Sequence, residues 1–288
     1  PVAHAAHTAL PLTLVCIHGH GSASDTYAAL AAAPELADTR RVLVDLRGHG
    51  RSPLPAVDAG AEAWGRPAFA ADVQAVLASF DGAKVLVGHS MGVRVAVEAV
   101  AQDPRCVDSL VCIDMDTKAR KPDALFLSKE PGAKVAAAAF TQGFPTVEAA
   151  KAALVSHGYE EGRVDAAVAS GRVHRLEDGS WWSGLHPHTF YMTAGADGPL
   201  VPCLRSAWEA VAAADWVPVS LLLAAKGSAA SGEEVEWMQA AMPRLDVHTV
   251  PHTHHSVHRD DTPATAKHIA AVCAEVRRRR TLGGGSPP

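Results

Sequence analysis

Short apolar runs alternate with helix-like stretches along most of the chain. The runs rich in valine, leucine and isoleucine are 12–19, 41–46, 84–88, 109–116, 219–227 and 245–250. Their near-continuous apolar character predicts strands buried on both faces, as in a parallel sheet that lies between helices. The helical patterns are 66–80, 93–103, 233–242 and 265–280. This alternation predicts an α/β fold with a doubly wound, mostly parallel sheet.

The alternation stops once, between about Thr117 and Asp215. This part has alanine-rich helical segments and a piece that bears glycine and histidine, but no good buried-strand run. We interpret residues 118–215 as an inserted helical lid above the sheet, with the core at 11–117 and 216–280. Residues 281–288 read TLGGGSPP, which is typical of a flexible tail.

Composition and charge narrow the classes of function. The 288 residues carry a formal net charge of −5, so no nucleic-acid surface is indicated. The basic run Arg277–Arg280 ends a helical pattern, where cations are favoured, and we interpret it as a solvated helix end. No apolar stretch is long enough to span a bilayer. We therefore predict a small-molecule substrate, no nucleic acid, no membrane span, and a monomer or homodimer.

The cysteines and the first residues bear on location. Five cysteines, an odd number without a CxxC pair, predict reduced thiols and a cytoplasmic protein. The first ten residues lack a charged region followed by an apolar run, so we predict no signal peptide. Removal of a transit segment from a longer precursor stays open.

A strand-like run passes directly into a helix-like run at Gly88-His89-Ser90-Met91-Gly92. Small residues lie two positions before and two positions after Ser90, where larger side chains would collide in a tight strand-to-helix turn. Such a turn strains the serine backbone and lifts its hydroxyl above the sheet. We therefore predict that Ser90 is a nucleophile; the alternative is a structural turn serine.

Two backbone N–H groups are candidates for an oxyanion hole. Met91 opens the helix after Ser90, so its N–H and the positive end of the helix dipole lie near the hydroxyl. The glycine-rich loop Ile17–Ser24 follows the first strand and offers the N–H of His20. Donors aimed at developing charge stabilise a transition state strongly. For this loop the alternative is an ordinary glycine-rich turn.

The order and spacing of four motifs resemble the α/β-hydrolase superfamily. The motifs are His18-Gly19, Asp45–Ser52, Gly88–Gly92 and His255–Asp261. The chain looks like the serine-nucleophile branch with a helical cap, which contains esterases, C–C hydrolases and haloperoxidase-like proteins. The resemblance covers the core but no motif of the lid.

The resemblance implies several roles. The residue after the His-Gly pair and the residue after the nucleophile form the family's oxyanion hole, here His20 and Met91. Arg47 and His49 are implied to be structural. The chemistry needs no cofactor and no metal. The family's sheet usually begins with a hairpin, and only about ten residues precede the first strand here, so we predict that the hairpin is missing or truncated.

The family's catalytic base lies in the loop after the last strand, with a histidine three residues later and a proline closing the motif. His255, with His258 and Pro263, fits this best, and His254 and His252 are alternatives. The same histidines would also suit zinc or nickel. No other group at ligand spacing supports a metal site, so none is predicted.

The family's acid most often follows the penultimate strand, but Ser228 stands near that position. Some members place the acid after the preceding strand, where this chain has Asp114 and Asp116. We choose Asp114 as the residue that orients the base. Asp116 is the first alternative, followed by Glu233 and Glu234, which are more typical of a first helical turn.

The lid is expected to determine the substrate. Trp181, Trp182 and Tyr191, with the neighbouring Phe190 and Met192, are candidates for an apolar pocket. The alternative for each is that it only packs the lid onto the core.

The sequence thus predicts a serine hydrolase that cleaves a small or medium carboxylic ester, thioester, lactone or amide through an acyl-enzyme. One alternative is a C–C bond hydrolase of a diketone. Another is a cofactor-free dioxygenase, which Lys121-Pro122-Asp123 parallels although the serine motif of that branch differs. A third is a receptor that binds a small molecule without turnover. An aspartate nucleophile is disfavoured because the turn carries Ser90.

Overall fold

The computed structural model describes residues 12–20, 22–52, 63, 65–119, 144–156, 161–169, 173–175, 179–183 and 203–283. All six predicted strands are present, and they form one parallel sheet in the order β2-β1-β3-β4-β7-β8. The sheet strands are β1 (Thr13–Ile17), β2 (Arg40–Val44), β3 (Lys84–His89), β4 (Ser109–Ile113), β7 (Val219–Ala224) and β8 (Asp246–Val250). The predicted α/β fold with a parallel sheet is confirmed.

Helices cover both faces of this sheet. The helices are α1 (Ala28–Ala31), α2 (Arg66–Ala78), α3 (Met91–Gln102), α4 (Val147–Ser156), α5 (Glu161–Ala169), α6 (Arg205–Ala213), α7 (Gly232–Ala241), α8 (Val257–Asp260) and α9 (Thr262–Gly283). Alternate strand residues point to opposite faces, so Val15 packs with α2, α3, α6 and α7, whereas Leu14 packs with α1 and α9. Burial on both faces explains why the strands are apolar throughout.

The strand order creates a switch point between β1 and β3, in the middle of the sheet. The chain leaves β1 for β2 on one side, whereas β3 lies on the other side of β1. In open α/β sheets, ligands bind at such a switch point, beyond the carboxyl ends of the strands. Gly88 pairs with Ile17, and His89 pairs with Ile113. The residues that follow β1, β3 and β4 therefore lie side by side at the carboxyl end of the sheet.

The insertion between β4 and β7 contains short strands that the sequence did not predict. Next to α4 and α5, β5 (Val173–Arg175) and β6 (Trp181–Ser183) form a two-stranded antiparallel sheet. Strands of three residues are too short to produce a recognisable alternation. Phe144 pairs with Trp181 and packs with Ala150, Val164 and Val173 in a small separate core.

The last helix of the segment interpreted as a lid packs on the core. Trp208 of α6 is fully buried in the cluster that α3 and α7 share, and its Nε1–H donates to the carbonyl oxygen of Met238 at 3.1 Å. The N–H of Leu204 donates to the carbonyl oxygen of Thr117. Helix α6, at the end of the segment predicted as a lid, therefore packs against the core, and the lid at 118–215 stays a prediction.

The described residues begin at Leu12 and continue to Gly283. The predicted loss of a first hairpin concerns residues 1–11, which lie outside the described residues. At the other end α9 continues through Gly283, beyond the start proposed for the tail. Arg280 pairs with Asp108 at 2.6 Å, so part of the basic run holds α9 against the core. No helix in the described part of the chain is long and apolar enough to cross a membrane.

Candidate active site

Ser90 occupies a strained turn between β3 and α3. Its φ of 54° and ψ of −119° lie in a region that non-glycine residues rarely adopt. A Cβ at Gly88 would come within 2.6 Å of the carbonyl oxygen of Gly92, and a Cβ at Gly92 would overlap with the carbonyl oxygen of Ile17. The small residues predicted to permit a tight turn are therefore sterically required.

His255 lies within hydrogen-bond distance of both other predicted residues of the triad. Its Nδ1 lies 2.7 Å from Asp114 Oδ2, and its Nε2 lies 2.9 Å from Ser90 Oγ. Because the carboxylate can only accept, Nδ1 carries the proton and Nε2 is left to accept from the serine hydroxyl. The structure thus brings together Ser90, His255 and Asp114.

Asp114 is fully buried and surrounded by donors. Oδ1 accepts from the N–H of Ala224 at 2.8 Å and from Ser228 Oγ at 2.6 Å. Oδ2 accepts from the N–H of Ala229 at 2.9 Å as well as from His255. Burial by itself raises the pKa of the Asp114 carboxyl, but these hydrogen bonds outweigh it and lower the pKa below its ordinary value. The carboxylate is therefore ionised at neutral pH.

The residues that donate to Asp114 lie at the end of β7 and in the loop after it, where the family usually places its acid. Ser228, near the expected position of that acid, donates to the carboxylate that comes from β4. Since β4 and β7 are neighbours, side chains from both carboxyl ends reach the same point above the sheet. The end of β7 and the loop after it thus hold the carboxylate of Asp114, which follows β4.

The alternative acids are held elsewhere. Asp116 accepts from the backbone N–H groups of Ser231 and Lys118, at 2.9 and 3.2 Å. Glu234 forms a bidentate pair with Arg205, and this hydrogen bonding lowers the pKa of its carboxyl. Glu233 is exposed in the first turn of α7.

The alternative bases also lie apart from the serine. His254 is exposed and lies beside Asp260. The backbone N–H of His254 donates to the carboxylate of Asp260 at 2.6 Å. His252 is exposed at a φ of 64°.

His89 supports the site, a role that the sequence reasoning missed. Its Nε2–H donates to the carbonyl oxygen of His255 at 2.8 Å. Burial lowers the pKa of His89 to about 4, so the ring stays neutral at neutral pH. Its ring also lies 4.6 Å from that of His258, which is buried. The available signal was its position directly before Ser90.

The glycine-rich loop after β1 passes close to Ser90. A Cβ at Gly19 would lie 3.1 Å from the Ser90 Cβ, so a larger residue there would crowd the serine. His18 Nε2 accepts from the N–H of Leu46, which leaves Nδ1 to donate to the carbonyl oxygen of Gly19. The neighbouring His20 belongs to the same turn. Buried contacts thus hold this loop beside Ser90.

The loop after β2 is tied to the helix layer. Arg47 forms two hydrogen bonds of 2.6 Å with the carboxylate of Asp72 in α2. His49 is buried, and its ring centroid lies 4.9 Å from that of His18. These contacts agree with the structural roles that the resemblance implied.

Only two of the three residues predicted for a substrate pocket, Trp181 and Trp182, are among the described residues. Trp181 contacts the small core of the insertion. Trp182 lies on β6, and Tyr191 falls outside the described residues. The contribution of these residues to a pocket stays a prediction.

Comparison with known proteins identifies the family. The model of the alpha/beta hydrolase family matches residues 14–267, and the chain belongs to this family. The sn-1-specific diacylglycerol lipase ABHD11 of Xenopus tropicalis is 32% identical over 115 residues, which are 39% of this chain and 34% of the lipase. The chain thus matches about a third of the length of this relative.

Solved structures show the same fold. An M. tuberculosis esterase is 19% identical with a TM-score of 0.66, covering 92% of this chain and 86% of the esterase. E-2-(acetamidomethylene)succinate hydrolase is 24% identical with a TM-score of 0.64, covering 91% and 90% of the two chains. At these identities the likeness concerns the fold alone.

Proposed function

We propose that the protein is a serine hydrolase that cleaves a small or medium carboxylic ester, or a related thioester, lactone or amide. The observation that carries the proposal is the continuous chain of hydrogen bonds from Ser90 Oγ to His255 to the buried carboxylate of Asp114. A free serine hydroxyl is almost wholly protonated at neutral pH, so a nucleophilic serine needs a positioned base.

The proposed reaction proceeds in two halves. Ser90 Oγ attacks the substrate carbonyl carbon and passes its proton to Nε2 of His255, which then gives that proton to the leaving group. The ionised carboxylate of Asp114 stabilises the imidazolium that forms in between. Water, deprotonated by the same histidine, then attacks the acyl carbon. The bond from that carbon to Ser90 Oγ breaks, His255 returns the proton to Ser90 Oγ, and the carboxylic acid is released.

The proposed oxyanion hole consists of the backbone N–H groups of His20 and Met91. Met91 is the first residue of α3, where an N–H has no partner within the helix and the helix dipole is positive. The close approach of Gly19 to Ser90 supports a position for His20 on the other side of the developing negative charge.

The name of one relative favours an ester substrate. ABHD11, which matches over 39% of this chain, is an sn-1-specific diacylglycerol lipase. Among the reactions open to this triad, we therefore choose ester cleavage over cleavage of a carbon–carbon bond. The insertion between β4 and β7 is proposed to bind the acyl or alcohol part.

The test is hydrolysis of p-nitrophenyl esters from acetate to decanoate by the wild type and by Ser90→Ala. We expect turnover that Ser90→Ala lowers at least about a thousandfold, because the nucleophile is lost. The matched control is Ser79→Ala, which removes a hydroxyl at the exposed end of α2 and should leave turnover unchanged. Mass spectrometry after treatment with a fluorophosphonate should find the label on the Ser90 peptide.

Two other outcomes would point elsewhere. Labelling of Ser90 without turnover of any ester would favour a C–C hydrolase or a receptor and would contradict the proposed substrate class. Neither labelling nor turnover would mean that Ser90 is a structural turn residue, and the proposal would fail.

A further inference from the structure

A second cluster of polar side chains lies where the edge strand β8 meets α9. Asp246 and His248 are two residues apart on β8, so their side chains emerge on the same face of the sheet. On this face β7 and β8 pack against α9, since Leu222 and Val250 share a buried cluster with Ile269. His268, one residue before Ile269, extends from α9 toward the two strand residues.

The three side chains are close enough to share one ion. One ligand atom of each lies within 4.8 Å of the ligand atoms of the other two. His248 Nε2 lies 2.8 Å from Asp246 Oδ2, and the ring centroids of His248 and His268 are 4.7 Å apart. Asp246 and His248 are exposed, so an ion can enter from solvent. Among the described residues, this is the group of three with ligand spacing.

A hydrogen bond with Ser220 orients the ring of His268. Its Nε2 lies 3.0 Å from Ser220 Oγ on β7, and this hydrogen bond fixes the orientation of the ring. A histidine that binds a metal usually makes a hydrogen bond through its other ring nitrogen.

The donor set selects the class of ion. Two imidazole nitrogens and one carboxylate oxygen suit Zn²⁺, whereas Mg²⁺ and Ca²⁺ prefer oxygen ligands alone. We propose that Asp246, His248 and His268 form a zinc site that joins β8 to α9, with water completing the coordination.

The site would stabilise the segment that carries His255. Residues 248 and 268 lie on either side of the loop and short helix between β8 and α9, and His255 is within that loop. A metal bound to both ends closes this segment and stabilises the folded state over the unfolded one. The proposal does not depend on the chemistry of Ser90.

Calorimetric titration with Zn²⁺ at neutral pH, after treatment with a chelator, tests the proposal. We expect one site per chain in the wild type, and a Kd at least about tenfold weaker in Asp246→Asn and His248→Ala, because each removes one of three ligands. Both residues are exposed, so neither change should prevent folding. His254→Ala is the matched control: it removes an exposed histidine beside Asp260, a pair to which the described residues add no third ligand, and should leave the Kd unchanged.

Thermal unfolding gives a second readout. Zn²⁺ should raise the Tm of the wild type and of His254→Ala by similar amounts and that of His248→Ala by less. Equal weakening by His248→Ala and His254→Ala would show adventitious binding only and overturn the proposal. Binding that Asp246→Asn and His248→Ala both leave intact would overturn it as well.

Discussion

At the scale of single residues, the distinguishing feature of the site is the origin of its acid. Asp114 extends from β4 at a φ of 51°, a conformation that costs a non-glycine residue about 1–3 kcal/mol. The surrounding hydrogen bonds hold it there: its N–H donates to the carbonyl oxygen of Leu222, and Ala224, Ser228 and Ala229 donate to its carboxylate. The strain is therefore maintained by contacts from β7 and from the loop that follows it.

Asp114→Asn should lower kcat by about four orders of magnitude, because an amide cannot hold His255 in the tautomer that accepts the serine proton. The measurement is steady-state hydrolysis of the best p-nitrophenyl ester, with thermal unfolding to verify the fold. Asp116→Asn is the matched control, since it is equally buried but bonded to Ser231 and Lys118. Loss of activity in Asp116→Asn alone would reverse the assignment.

At the scale of elements, the unit that makes the site is β3, the turn at Ser90 and α3. The turn works because the backbone of α3 approaches β1 and β3 too closely for side chains at Gly88 and Gly92. The sheet and the helix on either side are buried, so the strained serine cannot relax without separating them.

Gly88→Ala should destabilise the protein by about 1–3 kcal/mol or more, because its Cβ would lie 2.6 Å from the backbone carbonyl oxygen of Gly92. The readout is the urea midpoint, or loss of soluble folded protein. Gly232→Ala, at the start of α7, is the control: its Cβ would meet nothing within 4 Å, and the change should be neutral or stabilising by up to about 1 kcal/mol. Similar effects of both substitutions would argue against a sterically closed turn.

At the scale of the whole molecule, buried neutral histidines couple stability to pH. Burial lowers the pKa of His18, His20 and His89 to about 4 and that of His49 to about 3, from an ordinary value of 6.5. Between pH 6.5 and about 4 the unfolded chain therefore binds protons that the folded chain does not. The contribution of these histidines to the free energy of unfolding is fully present above pH 6.5. It is lost as the pH falls from 6.5 towards about 4.

The free energy of unfolding should decrease from pH 7.5 to pH 5 by up to about 1.4 kcal/mol per pH unit for each buried histidine. Urea unfolding at several pH values measures the slope. His49→Gln should make the slope shallower, whereas His254→Gln, at an exposed position, should not change it. Asp114 acts at lower pH, because its lowered pKa stabilises the fold above about pH 4 and that contribution is lost below. A stability that is independent of pH between 7.5 and 5 would contradict this account.

Much of the fold and part of the site could be predicted because their signals are local. The six sheet strands, α2, α3, α7 and α9 are each encoded in a continuous stretch of residues. The turn at Ser90 needs small residues only two positions away on either side. The short strands of the insertion gave too little pattern, and the attachment of α6 to the core depends on where Trp208 packs.

The sequence by itself determined the parallel α/β architecture, the tight turn and the serine at its apex, because periodicity and steric demand act between near neighbours. Only the tertiary structure decided which histidine lies beside that serine and which carboxylate lies beside that histidine. His255 lies 141 residues from Asp114 and 165 residues from Ser90 along the chain. The same holds for Ser228 beside Asp114, and for Asp246 and His248 beside His268. Such contacts depend on the order of strands in the sheet, which brings distant carboxyl ends and helix faces together.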